Sequence, residues 1–83
     1  MVTNNRAKGR YELVEDGETA FCEYRIEGGR IIFPHTVVPP ALEGRGVGTR
    51  LVKAALADAA AQGLEVVPEC GFVKAVLARG GAG

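Results

Sequence analysis

Two prolines followed by a glycine-rich turn constrain this chain more than any other stretch. The apolar run 37–38 ends in Pro39 and Pro40, and residues 44–48 then alternate glycine with other residues before an alanine-rich segment. Proline lacks the N–H that a strand ladder needs, so a strand has to end there. The glycines leave the backbone bare where the next segment begins. This predicts a helix whose first N–H groups are open to an anion.

The segment after the turn has the apolar spacing of one amphipathic helix, predicted over residues 46–62. The positions of its apolar stripe are Val47, Leu51, Val52, Ala55, Leu56 and Ala59. Gly63 follows as a helix-ending residue. Residues 64–67 predict a short buried strand, and a return this short predicts a parallel crossover. A last short helix is predicted over residues 71–79.

Before the turn, three strands are predicted over residues 9–15, 18–27 and 30–38. The pairs Asp16-Gly17 and Gly28-Gly29 are two-residue turns that join antiparallel strands. Pro34 within the third strand predicts an edge position or a bulge. The predicted fold class is α/β (α+β), a small mixed sheet in which an antiparallel meander precedes a βαβ crossover and a short terminal helix.

Eighty-three residues suffice for one small domain, predicted over residues 9–79 between a frayed segment 1–8 and a flexible end 80–83. Acidic and basic residues number 10 each, which argues against nucleic-acid binding. No apolar stretch approaches the ~20 residues of a membrane span. Two cysteines do not form a disulfide framework. We therefore expect a reduced, cytoplasmic protein, as a monomer or weak homodimer.

Three phosphate-binding patterns compete for the glycine turn. A P-loop needs a Gly-Lys-Ser/Thr string that this chain lacks. A dinucleotide fingerprint needs glycine where Thr49 stands, and more parallel strands than the chain can supply. The acetyl-coenzyme A pattern, Gln/Arg-x-x-Gly-x-Gly/Ala, matches Gly46-Val47-Gly48 in its second half. The turn therefore favours the pyrophosphate of a coenzyme.

With its flanking residues, the chain resembles the GNAT superfamily of N-acetyltransferases, in its minimal single-domain branch. The residues that carry the resemblance are the His-Thr-Val-Val-Pro run 35–39, the glycine turn 42–48, residues 51–52 and the Pro-Glu-Cys-Gly-Phe-Val run 68–73. It implies an acetyl-CoA-binding fold whose third and fourth strands part and hold the pantetheine arm near Val37 and Val38.

The resemblance also implies which backbone groups meet the coenzyme. The pyrophosphate is expected on the N–H groups of Arg45, Gly46, Val47, Gly48 and Thr49. The N–H of Val38 is expected to stabilise the developing oxyanion. Glu43 stands where the family's motif usually has glutamine or arginine, and Arg45 and Arg50 are expected to offset its charge.

Cys70 is the first catalytic candidate, because it follows the last strand and precedes a helix, where a thiol pKa is lowered. A thiolate there can accept the acetyl group, or a thiol can protonate the leaving sulfur. The alternative is a small buried residue. No tyrosine follows Tyr24, so the tyrosine acid of larger GNAT enzymes has no counterpart.

His35, the only histidine, is the second candidate, as a base or as an orienting partner of Cys70. The alternative is a histidine bonded to a neighbouring strand or to water. Glu23 is interpreted as a solvated charge; the alternative, which the resemblance implies, is an acid that relays protons through water. One histidine and two cysteines do not form a zinc site.

The sequence thus predicts an acetyl-CoA-dependent N-acetyltransferase acting on a small amine or an exposed lysine. Two alternatives stay open: a non-catalytic acyl-CoA-binding or sensing module, and a structural domain in which the glycines only shape a turn.

Overall fold

The computed structural model describes residues 1–80, and these follow the predicted order of elements. The strands and helices in this part are β1 (Val2–Asn5), β2 (Arg10–Glu15), β3 (Glu18–Glu23), β4 (Arg25–Glu27), β5 (Arg30–Phe33), β6 (Thr36–Val37), α1 (Val47–Ala61), β7 (Glu65–Pro68) and α2 (Gly71–Ala78). A short 3₁₀ turn, Pro40–Leu42, lies before α1. The predicted flexible end, apart from Gly80, falls outside the described residues. The α/β class is confirmed.

The predicted antiparallel meander is confirmed, with both of its tight turns. Asp16 and Gly17 have φ of 52° and 76°, and Gly28 and Gly29 have φ of 55° and 82°. Two consecutive residues with positive φ are typical of the type I′ turn, whose twist matches that of the strands it joins. β2 therefore pairs with β3, and β4 with β5, in antiparallel register.

The meander is divided between two sheets. Its second strand breaks at Tyr24 into β3 and β4, and its third breaks at Pro34 and His35 into β5 and β6. One sheet has the order β1-β2-β3-β6, and the other has the order β4-β5-β7. Proline cannot donate to a ladder, which explains why the third strand is interrupted at Pro34.

The N-terminal segment differs from the prediction. Residues 1–8 were expected to be frayed, whereas Val2–Asn5 form β1, which pairs with β2 so that Val2 lies opposite Leu13. The hydroxyl of Tyr24 donates to Oδ1 of Asn4 at 2.8 Å and adds a side-chain contact to the strand pairing. The sequence of β1 has no alternating apolar pattern, so only these long-range contacts reveal it.

The parallel crossover is confirmed and sets the position of the core. β5 pairs in parallel with β7, from Arg30 opposite Glu65 to Phe33 opposite Pro68, and α1 connects them. Every predicted position of the α1 stripe is buried. α2 adds Val73 and Val76 to the same core cluster, which also holds inward residues of both sheets. The two helices thus enclose one apolar core with the sheets.

Candidate functional site

The start of α1 carries no side-chain cap. Gly46, which precedes the helix, has φ of 73°, in the left-handed region that favours glycine. The first turn closes with a bond from the N–H of Arg50 to the carbonyl of Gly46, at 3.0 Å. The N–H groups of Val47, Gly48 and Thr49 lie before this bond and have no carbonyl to bond within the helix. With the helix dipole, they form a place where an anion is stabilised.

A pocket of about 220 Å³ opens at this helix start. Its lining residues are Val38, Leu42, Glu43, Gly44, Gly46, Val47, Gly48, Thr49 and Phe72. Five of the residues predicted from the sequence to bind coenzyme are therefore together in one wall. The other two, Val37 and Arg45, do not line the pocket.

Of the three glycines that line the pocket, Gly48 is the most closely packed. A Cβ built on Gly48 would lie 2.6 Å from Cζ of Phe72 and 3.1 Å from Cγ2 of Val38. Such distances are shorter than ordinary van der Waals contact, so glycine is required for the present packing. Phe72, on α2, is thus packed against the start of α1 and joins the two helices at the pocket.

The predicted parting of strands lies beside the pocket. The pairing of β5 with β7 ends at Phe33, whose carbonyl accepts from the N–H groups of Glu69 (3.2 Å) and Cys70 (2.9 Å). Beyond this point β6 pairs only with β3 and forms the edge of its sheet. The third strand therefore leaves the fourth at Phe33 and opens a gap.

The backbone of β6 faces this gap at alternate residues. The N–H of Glu23 donates to the carbonyl of His35 at 3.1 Å, and Val37 lies opposite Phe21 in the ladder. Backbone groups of an antiparallel edge strand alternate between its partner and the open side. Thr36 and Val38 therefore direct their backbone groups to the gap, whereas those of Val37 are directed to β3.

Cys70 lies at the end of the gap, immediately before α2. It is half-buried, and its thiol donates to Oγ1 of Thr36 at 3.6 Å. Burial raises the pKa of Cys70, but the N–H of Val73 and the hydroxyl of Thr36 lower it, as do the N–H groups of Phe72 and of Thr36. These groups outweigh burial, so the pKa of Cys70 lies below its ordinary value.

The thiol of Cys22 has the opposite shift in pKa from that of Cys70. It is fully buried on β3, and burial raises the pKa of its thiol to about 11. The hydroxyl of Thr36 donates to its Sγ at 3.5 Å. Cys22 is thus a protonated core residue at neutral pH.

His35 is not brought together with Cys70. Its Nε2 lies 3.0 Å from Oε1 of Glu23, and the hydrogen bonds of residues 1–80 include none between His35 and Cys70. Neighbouring residues on a strand point to opposite faces, so the side chain of Thr36 faces Cys22 while that of His35 faces the other side with Glu23. His35 and Glu23 form an exposed pair on that side.

The two arginines near the start of α1 are held by the β2–β3 turn. Arg45 pairs with Asp16 and lies 3.7 Å from Glu15, and Arg50 bonds to Glu15 at 2.8 Å. Glu43, in contrast, lines the pocket. Arg45 and Arg50 were expected to offset the negative charge of Glu43, but they are already paired with two other carboxylates.

The structure adds residues that had no predicted role. Thr36 and Phe72 lie within the runs that carry the resemblance, but no pattern indicated that one bonds to both cysteines and the other lines the pocket. The alternation of β6 could have indicated that Thr36, and not His35, faces the core. In the sequence, Glu15 and Asp16 indicate only the end of a strand and the start of a turn.

None of the helices in residues 1–80 has the length and apolar character that crossing a bilayer requires. A family model described as GCN5-related N-acetyl-transferase matches residues 10–81, which is most of the chain. The match begins with β2 and includes every element that lines the pocket.

Proposed function

The chain belongs to the GCN5-related N-acetyltransferase family, and we propose that it binds acetyl-CoA and transfers the acetyl group to an amine. Family membership supports acyl transfer in general. The observation that carries the finer proposal is the pocket of about 220 Å³ at the uncapped start of α1. Its backbone N–H groups suit a diphosphate, and its apolar wall suits an aliphatic arm.

The residues fit a bound coenzyme. A Cβ on Gly44 or Gly46 would meet nothing within 4 Å, so the approach to the helix start is open. In this proposal the N–H groups of Val47, Gly48 and Thr49 hold the diphosphate. The outward carbonyl of Thr36 and the outward backbone of Val38 hold the pantetheine arm, as an added strand is held by a sheet edge, while the N–H of Thr36 is directed to Cys70. Val37 and Arg45 were also predicted from the sequence to bind coenzyme. In this proposal Val37 only spaces Thr36 from Val38, and Arg45 contributes its positive charge near the helix start.

Bound acetyl-CoA would supply the activated acetyl group as a thioester. The chain's part is to manage two protons. His35 is the proposed base: its Nε2–H donates to Oε1 of Glu23 at 3.0 Å and orients the ring, so Nδ1 is the nitrogen that takes a proton from the acceptor amine. Cys70 is the proposed group at the leaving sulfur. Its thiol can give a proton there, or its thiolate can accept the acetyl group itself.

An acyl-CoA-binding or sensing module without turnover is the second candidate. Glu43 in the pocket lining favours it, because a carboxylate beside a diphosphate weakens binding. The absence of tyrosine after position 24 also favours it, because the usual acid of larger relatives has no counterpart.

The proposed setting is a reducing compartment such as the cytoplasm, because both cysteines are free. The proposed acceptor is a small amine or an exposed lysine, and the proposed state is a monomer or weak homodimer.

Titration calorimetry with acetyl-CoA tests the proposal directly. We expect saturable binding to the wild-type chain. No heat at coenzyme concentrations up to about 1 mM would overturn both candidate functions, since affinities weaker than this are not useful at cellular concentrations. If binding occurs, release of free coenzyme thiol in the presence of an amine panel distinguishes the enzyme from the sensor.

The role of Cys70 is tested by the intact mass of the protein after incubation with acetyl-CoA. An acetyl adduct on the wild type that is absent from Cys70→Ala supports the covalent role. Thiol release without any adduct, lowered in Cys70→Ala, supports the acid role. An adduct that survives the substitution would remove the covalent role from Cys70.

A further inference from the structure

Both cysteines contact the same hydroxyl group, that of Thr36. The thiol of Cys70 donates to Oγ1 of Thr36 at 3.6 Å, and the Thr36 hydroxyl donates to Sγ of Cys22 at 3.5 Å. Thr36 thus links the half-buried thiol at the end of the gap to a fully buried core thiol. Nothing in the proposed binding of coenzyme requires this link.

The backbone fixes all three groups. Thr36 lies directly opposite Cys22 in the ladder of β3 and β6. Opposite residues that do not share backbone bonds have the closest side chains of an antiparallel pair. Cys70 is held on the other side by its N–H bond to the carbonyl of Phe33, at 2.9 Å. The contacts therefore follow from the register of both sheets.

The arrangement works in two protonation states. A hydroxyl has one proton to donate and lone pairs that accept. When Cys70 is a thiol, it donates to Thr36, and Thr36 donates to Cys22. When Cys70 is a thiolate, the Thr36 proton can rotate to it, and the thiol of Cys22 can donate to the vacated oxygen. Cys22 retains its proton for this purpose, because burial raises its pKa to about 11.

We propose that Thr36 is a positioning residue, whose hydroxyl orients the Cys70 sulfur and stabilises its thiolate by reversing the direction of the hydrogen bonds that join Cys70, Thr36 and Cys22. The connection between these hydrogen bonds and acyl transfer rests on the proposed function. The ionisation itself does not, and it can be measured without coenzyme.

Other charges do not explain the expected effect. The titratable and charged groups on the elements around the two thiols include Tyr11 of β2, which lies opposite Cys22, Glu18 and Glu23 of β3, Arg25 of β4, His35 beside β6, Glu69 before Cys70 and Lys74 of α2. None of these groups changes between variants at position 36. A difference between such variants therefore reports on the hydroxyl.

The test is the pH dependence of the alkylation of Cys70 by iodoacetamide, followed by peptide mass mapping in the full chain without coenzyme. The thiolate attacks the reagent carbon and iodide leaves, so the rate follows the thiolate fraction. In Thr36→Val we expect the apparent pKa of Cys70 to rise by about one unit, with a rate at pH 7 about tenfold lower. Thr36→Ser, which keeps the hydroxyl, should follow the wild-type profile.

Two results would overturn the proposal. One is a Thr36→Val profile that coincides with the wild type. The other is a Thr36→Ser profile shifted as far as that of Thr36→Val, because packing and not the hydroxyl would then be responsible. Should Thr36→Val fail to fold, Thr36→Ala is compared with Thr36→Ser, since these two differ only in the hydroxyl. A negative result in this test does not bear on coenzyme binding. The test also remains valid if the protein does not bind coenzyme.

Discussion

The two helices begin in the same way and use their first N–H groups differently. Neither α1 nor α2 has a side-chain cap. α1 starts after Gly46, which offers no atoms of its own, so its N–H groups open into a pocket. α2 starts after Cys70, whose sulfur lies beside the N–H groups of Phe72 and Val73. The residue before the helix thus decides which anion its N–H groups can stabilise. At α1 it has to be a bound ligand, whereas at α2 it can be the thiolate of Cys70 itself.

The charges around the two starts also differ. Near α1, Arg45 and Arg50 are already paired with Glu15 and Asp16. Near Cys70, the groups that favour the thiolate are neutral N–H and O–H donors. We therefore expect anion binding at the start of α1 to be sensitive to salt and to nearby carboxylates, and ionisation of the Cys70 thiol to depend on hydrogen-bond geometry.

The largest expected effect comes from filling the start of α1. In Gly48→Val the new side chain would collide with Phe72 and Val38 and occupy the pocket. We expect coenzyme affinity to fall about a hundredfold or more, roughly 3 kcal/mol, as measured by calorimetry.

Gly71→Val is the matched control, because Gly71 begins α2 and a Cβ there would meet nothing within 4 Å. It should keep coenzyme affinity within about twofold, well below the tenfold change that 1.4 kcal/mol would produce. Equal affinities for both variants and the wild type would show that the two helix starts do not differ in the way described.

The two thiols are also expected to differ in how they make the stability of the fold depend on pH. Folded Cys22 has its pKa raised from 9.0 to about 11, so between pH 9 and 11 the unfolded chain releases a proton that the folded chain keeps. Stability is therefore lost as pH rises through this window, by about 2 kcal/mol. Urea unfolding at pH 8 to 11 under reducing conditions measures it.

The two cysteine variants separate the contributions. Cys22→Ala should be less stable at pH 8 but show a flatter decline between pH 9 and 11. Cys70→Ala should keep the wild-type decline there, because the folded pKa of Cys70 is lowered and its stabilisation is already complete above pH 9. A residual decline above pH 10 is expected from Tyr11, whose pKa burial and Asp58 raise. A decline as steep in Cys22→Ala as in the wild type would contradict the assignment of the buried proton to Cys22.

The smallest expected effect comes from releasing the arginines near α1. In the double variant Glu15→Gln, Asp16→Asn, the guanidinium groups of Arg45 and Arg50 lose their partners. Coenzyme affinity should rise about two- to fivefold at low ionic strength, the range of exposed ion pairs, and the gain should disappear in about 0.5 M salt.

Glu65→Gln serves as the control for that change, since Glu65 pairs with Arg30 at 3.0 Å on the other sheet. It removes one negative charge, against two in the double variant, without touching the start of α1 and should leave affinity unchanged. A gain in Glu65→Gln at least half as large, in free energy, as in the double variant would mean that only net charge matters.

Much of the fold could be predicted because it depends on neighbours in the chain. Positive φ at Asp16-Gly17 and Gly28-Gly29 set both hairpins, and helical spacing set the buried stripe of α1. Gly63, with φ of 70°, ends that helix as expected. Glycine conformations and apolar periods are local properties, so the order of elements and the glycine turn follow from the sequence alone.

The rest was decided by contacts between residues far apart in the chain. β1 exists because it pairs with β2, and the arginines turn from the pocket because the β2–β3 turn lies beside them. Thr36 joins two cysteines that are 48 positions apart only because two sheets meet there. Side-chain partners depend on register and on the division of the strands between sheets, and neither is encoded in a short stretch of residues.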